Sequence, residues 1–291
     1  MWTPVKTCLI AGLLVLALVA CRPPAADGAP DYAGMQPGQR LPADGHTPTG
    51  TRDSQDELPL WRASRYEQLQ HAAQKAGAPL GVLLVAGTAT DICIADTVGM
   101  QKAYNAHRED PSFTQSLAEI RAFQARFCPA EALNDRQEAE RMEIQRRVES
   151  GDAEARLINA LLEADEHMGH EDREALRRAA ESRIAETRSP AIYEALQISL
   201  LEDVFFEPAR VVDRPFGMGD EALRDAWGYA VLLASCERFG HCGPDSLTVY
   251  RVCMPHHCRR GLDVRGYVRD RLSRDGYEEA QRRARQLLAE T

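Results

Sequence analysis

From Leu58 onward the apolar residues recur at helical spacing. Ala222, Leu223, Ala226, Trp227, Ala230, Val231 and Ala234 form an i, i+3, i+4 stripe through a segment of mixed polarity, which predicts an amphipathic helix with one buried face. A second stripe, Ile192, Leu196, Leu200 and Val204, follows Ser189-Pro190, where the hydroxyl suits a cap and the proline suits the first helical position. A third helix is expected to start near Asn134, capped by its side chain with Gln137 reaching back, and to stop at Gly151. Leu80 to Val85 and Leu247 to Val252 are β-branched enough for strands, but their helical neighbourhood assigns both to helices. Composition agrees, since only 6% of residues are aromatic in a chain that is 44% hydrophobic. The expected fold class is all-α.

The first twenty residues follow a different pattern. Lys6 precedes twelve apolar residues, Leu9 to Ala20, a run shorter than the roughly 20 needed to span a bilayer and typical of a signal-peptide core. It ends in Leu18-Val19-Ala20-Cys21, which resembles the lipobox of bacterial lipoproteins. That resemblance implies cleavage before Cys21, acylation of Cys21, and, with Arg22 rather than Asp next to it, sorting to the inner leaflet of the outer membrane of a Gram-negative bacterium, facing the periplasm. Residues 22–57 carry six Pro and five Gly and almost no branched aliphatics, so they cannot bury enough surface to offset the entropy of ordering. The expected division is a signal peptide over 1–20, a lipidated linker over 21–57 and a helical domain over 58–291.

Turn signals recur along the helical part at Lys75-Ala76-Gly77-Ala78, Glu149-Ser150-Gly151-Asp152-Ala153, Thr187-Arg188-Ser189-Pro190-Ala191 and Met218-Gly219-Asp220-Glu221-Ala222. With one further unit near Asp110-Pro111 the mean period is about 36 residues, within the range of paired-helix arrays. Gly151-Asp152-Ala153-Glu154-Ala155 and Gly219-Asp220-Glu221-Ala222-Leu223 show the likeness best. Over roughly residues 61–290 the chain resembles the tetratricopeptide-like superfamily, although Leu-Gly-x-x-Tyr and Gly-x-Gly-Val elements are not present. The resemblance implies helical hairpins stacked as a short solenoid; the same turns also suit an irregular bundle.

With Cys8 in the signal and Cys21 as the lipid site, six cysteines remain: Cys93, Cys128, Cys236, Cys242, Cys253 and Cys258. An even count in an oxidising compartment favours three disulfides, with fifteen connectivities open. The Cys236 to Cys242 segment resembles the stapled turn of cysteine-rich tetratricopeptide-like repeats, which implies a Cys236–Cys242 bond, and a left-handed Gly240 closing the helix would agree with it. Cys253 and Cys258 have nearly the same spacing and read as a second staple, which leaves Cys93 with Cys128.

Net charge is −9, which argues against a nucleic-acid partner because phosphate contacts draw on Lys and Arg. Cys242, Cys253, His256, His257 and Cys258 include enough ligand types for a tetrahedral zinc, but their spacing matches no C-x-x-C knuckle and oxidation favours sulfur pairing, so no metal or cofactor is expected. Glu163, His167 and His170 lack the H-E-x-x-H spacing, with Gly169 expected to end the helix between them, and read as a solvated face. Phe216-Gly217-Met218-Gly219 reads as a hinge, and the charged runs Arg173 to Arg188 and Arg265 to Arg285 as solvated helix faces. No catalytic residue is assigned. The expected role is a lipid-anchored scaffold binding another envelope protein, with an enzyme acting on cell-wall material or a metal-binding protein as the alternative.

Overall fold

The computed structural model describes residues 57–62, 65–94, 105, 108–109, 111–129, 133–208, 214–253 and 261–290. The signal peptide, Cys21, the linker up to residue 56, His256, His257 and Cys258 lie outside the described residues.

Among the described residues every regular element is a helix. A short 3₁₀ helix, Leu58–Arg62, is followed by α1 (Tyr66–Ala73), α2 (Leu80–Ile94), α3 (Pro111–Phe127), α4 (Asn134–Ser150), α5 (Ala153–Glu163), α6 (His170–Glu186), α7 (Pro190–Ser199), α8 (Asp220–Phe239), α9 (Leu247–Cys253), α10 (Val264–Arg271) and α11 (Arg274–Ala289). From α4 to α8 each helix packs on the next, as stacked hairpins do. Helix α2 breaks the nearest-neighbour rule. It touches the 3₁₀ helix, α1, α3, α4, α7 and α9, so elements far apart in sequence close around it. The stacked arrangement fits an irregular bundle or a short solenoid in which α2 is enclosed.

The sequence explains that enclosure. Residues 80–90 of α2 and Ile92 are all buried, and a helix that is apolar all round has no face to give to water. The two segments with strand-like composition, Leu80 to Val85 and Leu247 to Val252, are both helical, within α2 and α9, and these two helices pack on each other. Phe123 of α3 bridges to α9 by stacking on Tyr250, with centroids 3.5 Å apart. The Cys93–Cys128 disulfide ties the end of α2 to the residue just past α3.

Helix ends follow local chemistry. Gly151 takes φ 94° and closes α4, with Asp152 N–H donating to the Arg147 carbonyl, and Asp152 then accepts from Glu154 and Ala155 N–H to open α5. Ser189 accepts from Ile192 N–H with Pro190 at the first position of α7. Gly240 takes φ 72° after α8.

Several expectations are corrected. Helix α4 begins at Asn134 with Leu133 as its cap, and Gln137 turns away to donate to Asp91 Oδ1 at 3.3 Å, because a half-buried carboxyl on α2 needs a donor. Gly169 opens α6 instead of ending α5, which stops at Glu163; Asp165 Oδ1 accepts from His167 and Met168 N–H and turns the chain earlier. The stripe from Ile192 continues to Val204 but α7 stops at Ser199, and Ala222 at the start of the α8 stripe is exposed. Glu57, the expected end of the linker, is buried and belongs to the body.

The most extensive helix pairing is α8 on α11. Ala226, Ala230 and Ala234 on one helix and Gly276, Ala280 and Ala284 on the other lie on buried faces four residues apart, which lets the backbones approach closely. Trp227 sits at the rim of this pairing. Its Nε1 donates to Glu279 at 2.7 Å, Phe206 meets its ring edge to face, and Arg283 lies 4.6 Å from its centroid. Trp227→Ala is expected to cost about 3 kcal/mol, measured by urea unfolding, because the rim position keeps the loss near the low end for a large aromatic.

Candidate functional site

Among the described residues, two clusters of ionisable groups flank α2, a buried one near its first turn and a half-buried one near its last, apart from the buried Glu279, which is paired with Trp227 and Arg282. The first is built from four chain segments. Glu194 stands in the middle of α7, an otherwise neutral helix, and is 1% exposed. Its Oε1 accepts from His241 Nε2 at 3.1 Å and its Oε2 from the Arg251 guanidinium at 2.6 Å. His241 follows the left-handed Gly240 and precedes Cys242, so the turn and the Cys236–Cys242 disulfide present the imidazole to α7. Arg251 comes from α9. The Trp61 ring covers both partners, 4.7 Å from the His241 centroid and 5.8 Å from the Arg251 guanidinium.

Glu57 completes the cluster. Its Oε1 accepts from Trp61 Nε1 at 3.2 Å and from the Ala191 backbone N–H at 2.9 Å, at the start of α7. Ser189 adds a third hydrogen bond. A Cβ on Gly81 of α2 would fall 2.2 Å from Glu57 Oε2 and 2.4 Å from Ser189 Oγ, so only glycine leaves room for the carboxylate.

The two carboxylates are held differently. Burial raises the Glu194 carboxyl, but the Arg251 charge and the His241 contact outweigh it and keep it well below the usual range. Burial pushes Glu57 up to about 7, because its hydrogen-bond donors are neutral and the Glu194 charge adds to the rise.

The second place joins α2 to α1 and α4. Glu140 Oε1 accepts from Gln70 at 2.7 Å and Thr90 at 2.8 Å, and Gln70 also donates to the Tyr66 hydroxyl. Burial raises Asp91 to about 7, against the hydrogen bond from Gln137, with the Glu140 charge adding to it; burial also raises Glu140. These carboxyls fasten helices together.

The residues singled out from sequence fall elsewhere. Cys236 and Cys242 are bonded, as are Cys93 and Cys128, and Cys253 is disulfide-bonded with its expected partner Cys258 outside the described residues. Neither Cys242 nor Cys253 is therefore a thiolate available for zinc. Glu163, His167 and His170 are exposed, at the end of α5, in the turn and at the start of α6. Phe216 is fully exposed on a turn in which Gly217 takes φ 80°, Met218 N–H donates to the Pro215 carbonyl and Arg214 bonds the Met218 carbonyl. The C-terminal arginines are paired in part along the surface, Arg265 with Glu237 and Arg274 with Glu278.

Glu57, Glu194, His241 and Arg251 were missed as a group. A lone Glu in Ala191-Ile-Tyr-Glu-Ala-Leu and a lone Arg in Val249-Tyr-Arg-Val-Cys253 were the available signal, since a single charge inside an apolar helix demands a buried partner. The chain matches no family model, no curated protein and no solved structure.

Glu194→Ala strips the counter-charge from an Arg251 that is only 8% exposed, so it is expected to cost about 3–5 kcal/mol in urea unfolding at neutral pH. The sign with pH follows from the depressed carboxyl: its contribution is present above the ordinary value of 4.5 and fades as the pH falls below it, so wild type and variant converge in acid.

Proposed function

We propose that the chain is a lipid-anchored envelope protein whose helical body serves as a protein–protein interaction scaffold on the periplasmic side of a Gram-negative outer membrane. The observation that carries this reading is where the body uses its polar chemistry. Glu57, Glu194 and His241, ionisable groups clustered near the start of α7, are each 1% exposed and hold helices and strap together, beneath the surface that a substrate would reach. The disulfides fit an oxidising compartment. No helix among the described residues is long and apolar enough to cross a membrane, and in this reading attachment comes from acyl chains on Cys21, each buried methylene contributing about 0.8 kcal/mol.

Two variants test it. Cys21→Ala is expected to lose fatty-acid labelling and to leave the membrane fraction, whereas undiminished labelling would refute the anchor. The triple change of Glu163, His167 and His170 to Ala is expected to shift stability by less than about 0.5 kcal/mol and to leave cellular function intact, as for exposed positions. A folded triple variant without function would replace the scaffold with a site at that turn. Turnover of cell-wall material by the purified chain, lost on Glu140→Gln, would favour the enzymatic alternative built on Asp91 and Glu140.

A further inference from the structure

The segment Glu57–Arg62 is a six-residue strap laid across three parts of the body that are remote from it in sequence. Glu57 is held at the start of α7 through Ala191 N–H and Ser189, Trp61 lies on His241 and Arg251, and Arg62 donates to the Gly240 carbonyl at 3.2 Å. Both Glu57 and Trp61 are buried, at 1% and 0% exposure. They are the strap's two buried side chains.

One of those side chains is a carboxyl group sealed from water. The charged and titratable groups around it are Glu194 from α7, His241 from the turn after α8 and Arg251 from α9; α2 presents Gly81 in a first turn, Leu80 to Leu83, without a titratable side chain. Arg251 and His241 are both engaged by Glu194. A negative charge on Glu57 would therefore sit beside a second carboxylate with only neutral donors of its own, whereas a protonated Glu57 keeps its acceptor bonds and can donate to Ser189.

We propose that the Glu57–Arg62 strap is a pH-released clasp, seated most firmly in mildly acidic surroundings and loosened as the pH climbs to neutrality. The chemical step is loss of one proton from Glu57 to solvent, which weakens the seat and leaves Trp61 and Arg62 to hold it alone. Opening would free six residues and uncover the indole-binding face of His241 and Arg251. That these residues join the tether to the membrane rests on the anchor reading above; the opening itself does not.

The sign follows from linkage. Glu57 stays protonated to about pH 7 when seated and has an ordinary value of 4.5 when released, so its stabilisation of the strap is complete below 4.5, declines from there to 7 and levels off above. The test is amide hydrogen exchange of the 57–62 peptide in the full chain, corrected for the intrinsic pH dependence of exchange. Protection of the strap relative to α8 is expected to fall by about a hundredfold between pH 4.5 and 8 in the wild type. Glu57→Gln, a near-isostere that keeps the acceptor oxygen, is expected to flatten the profile to within about threefold. His241→Gln, which retains an N–H toward Glu194 but removes the ring under Trp61, is expected to lower the strap's protection at every pH and to keep its roughly hundredfold fall between pH 4.5 and 8. A wild-type strap whose protection does not change with pH, or a pH response that persists in Glu57→Gln or disappears in His241→Gln, would overturn the proposal. The wild-type profile alone decides it should a variant not fold, and none of these readings depends on whether Cys21 is acylated.

Discussion

A carboxylate buried in the middle of a helix has to be answered from somewhere, and Glu194 is answered from residues 47 and 57 positions further along the chain. That requirement fixes more of the molecule than its three side chains. To bring His241 and Arg251 to α7, the chain must leave α8 by a left-handed turn, double back, and lay α9 across the bundle. Gly240 allows the turn and the Cys236–Cys242 bond holds it. Arg238, just before that turn, donates to the carbonyls of Ile184, Ala185 and Thr187, so the end of α8 also closes the exposed end of α6. Polar groups thus set the register between helices whose apolar faces would tolerate sliding.

Helix α2 is the hydrophobic counterpart of that constraint. Its side chains are buried on every side, so it supplies the core around which the other helices gather, and its few polar groups have to be satisfied without water. Thr88 donates back to the Leu84 carbonyl, while Thr90 and Asp91 turn to Glu140 and Gln137 of α4. At its other end Gly81 makes space for Glu57. These two polar clusters therefore sit at the two ends of one apolar helix, and each fastens that end to different neighbours.

This division explains what could be read in the sequence. The α8 stripe, the Ser189-Pro190 start, the Gly151 stop and the Gly240 turn are local events, decided by residues within a few positions of each other, and they were legible. Helix α2 was harder, because total burial removes the periodicity that identifies a helix, and only its neighbourhood argued against a strand. Gln137 does not reach back to the helix start because it has a better use across the interface, which no local pattern reveals. Glu194 and Arg251 were visible as isolated charges in apolar segments, but nothing in the sequence says that they belong to each other, still less that Glu57 at the end of a Pro- and Gly-rich stretch joins them.

The contrast between Glu57 and Glu194 shows how one pocket gives two carboxyls opposite characters. The pocket holds a single guanidinium. Arg251 bonds Glu194 directly, and His241 takes the other oxygen of the same carboxylate, so the positive charge is committed there. Glu57 is left with an indole N–H, a hydroxyl and a backbone N–H, donors that orient a carboxyl well but compensate a charge poorly in a dry site. The body fold needs Glu194 ionised, since the guanidinium beside it has no other counter-charge in the cluster. The first residues of the body need Glu57 neutral for the same reason. Firm packing of the body and a conditional hold on the segment that leads into it are therefore two consequences of one charge count.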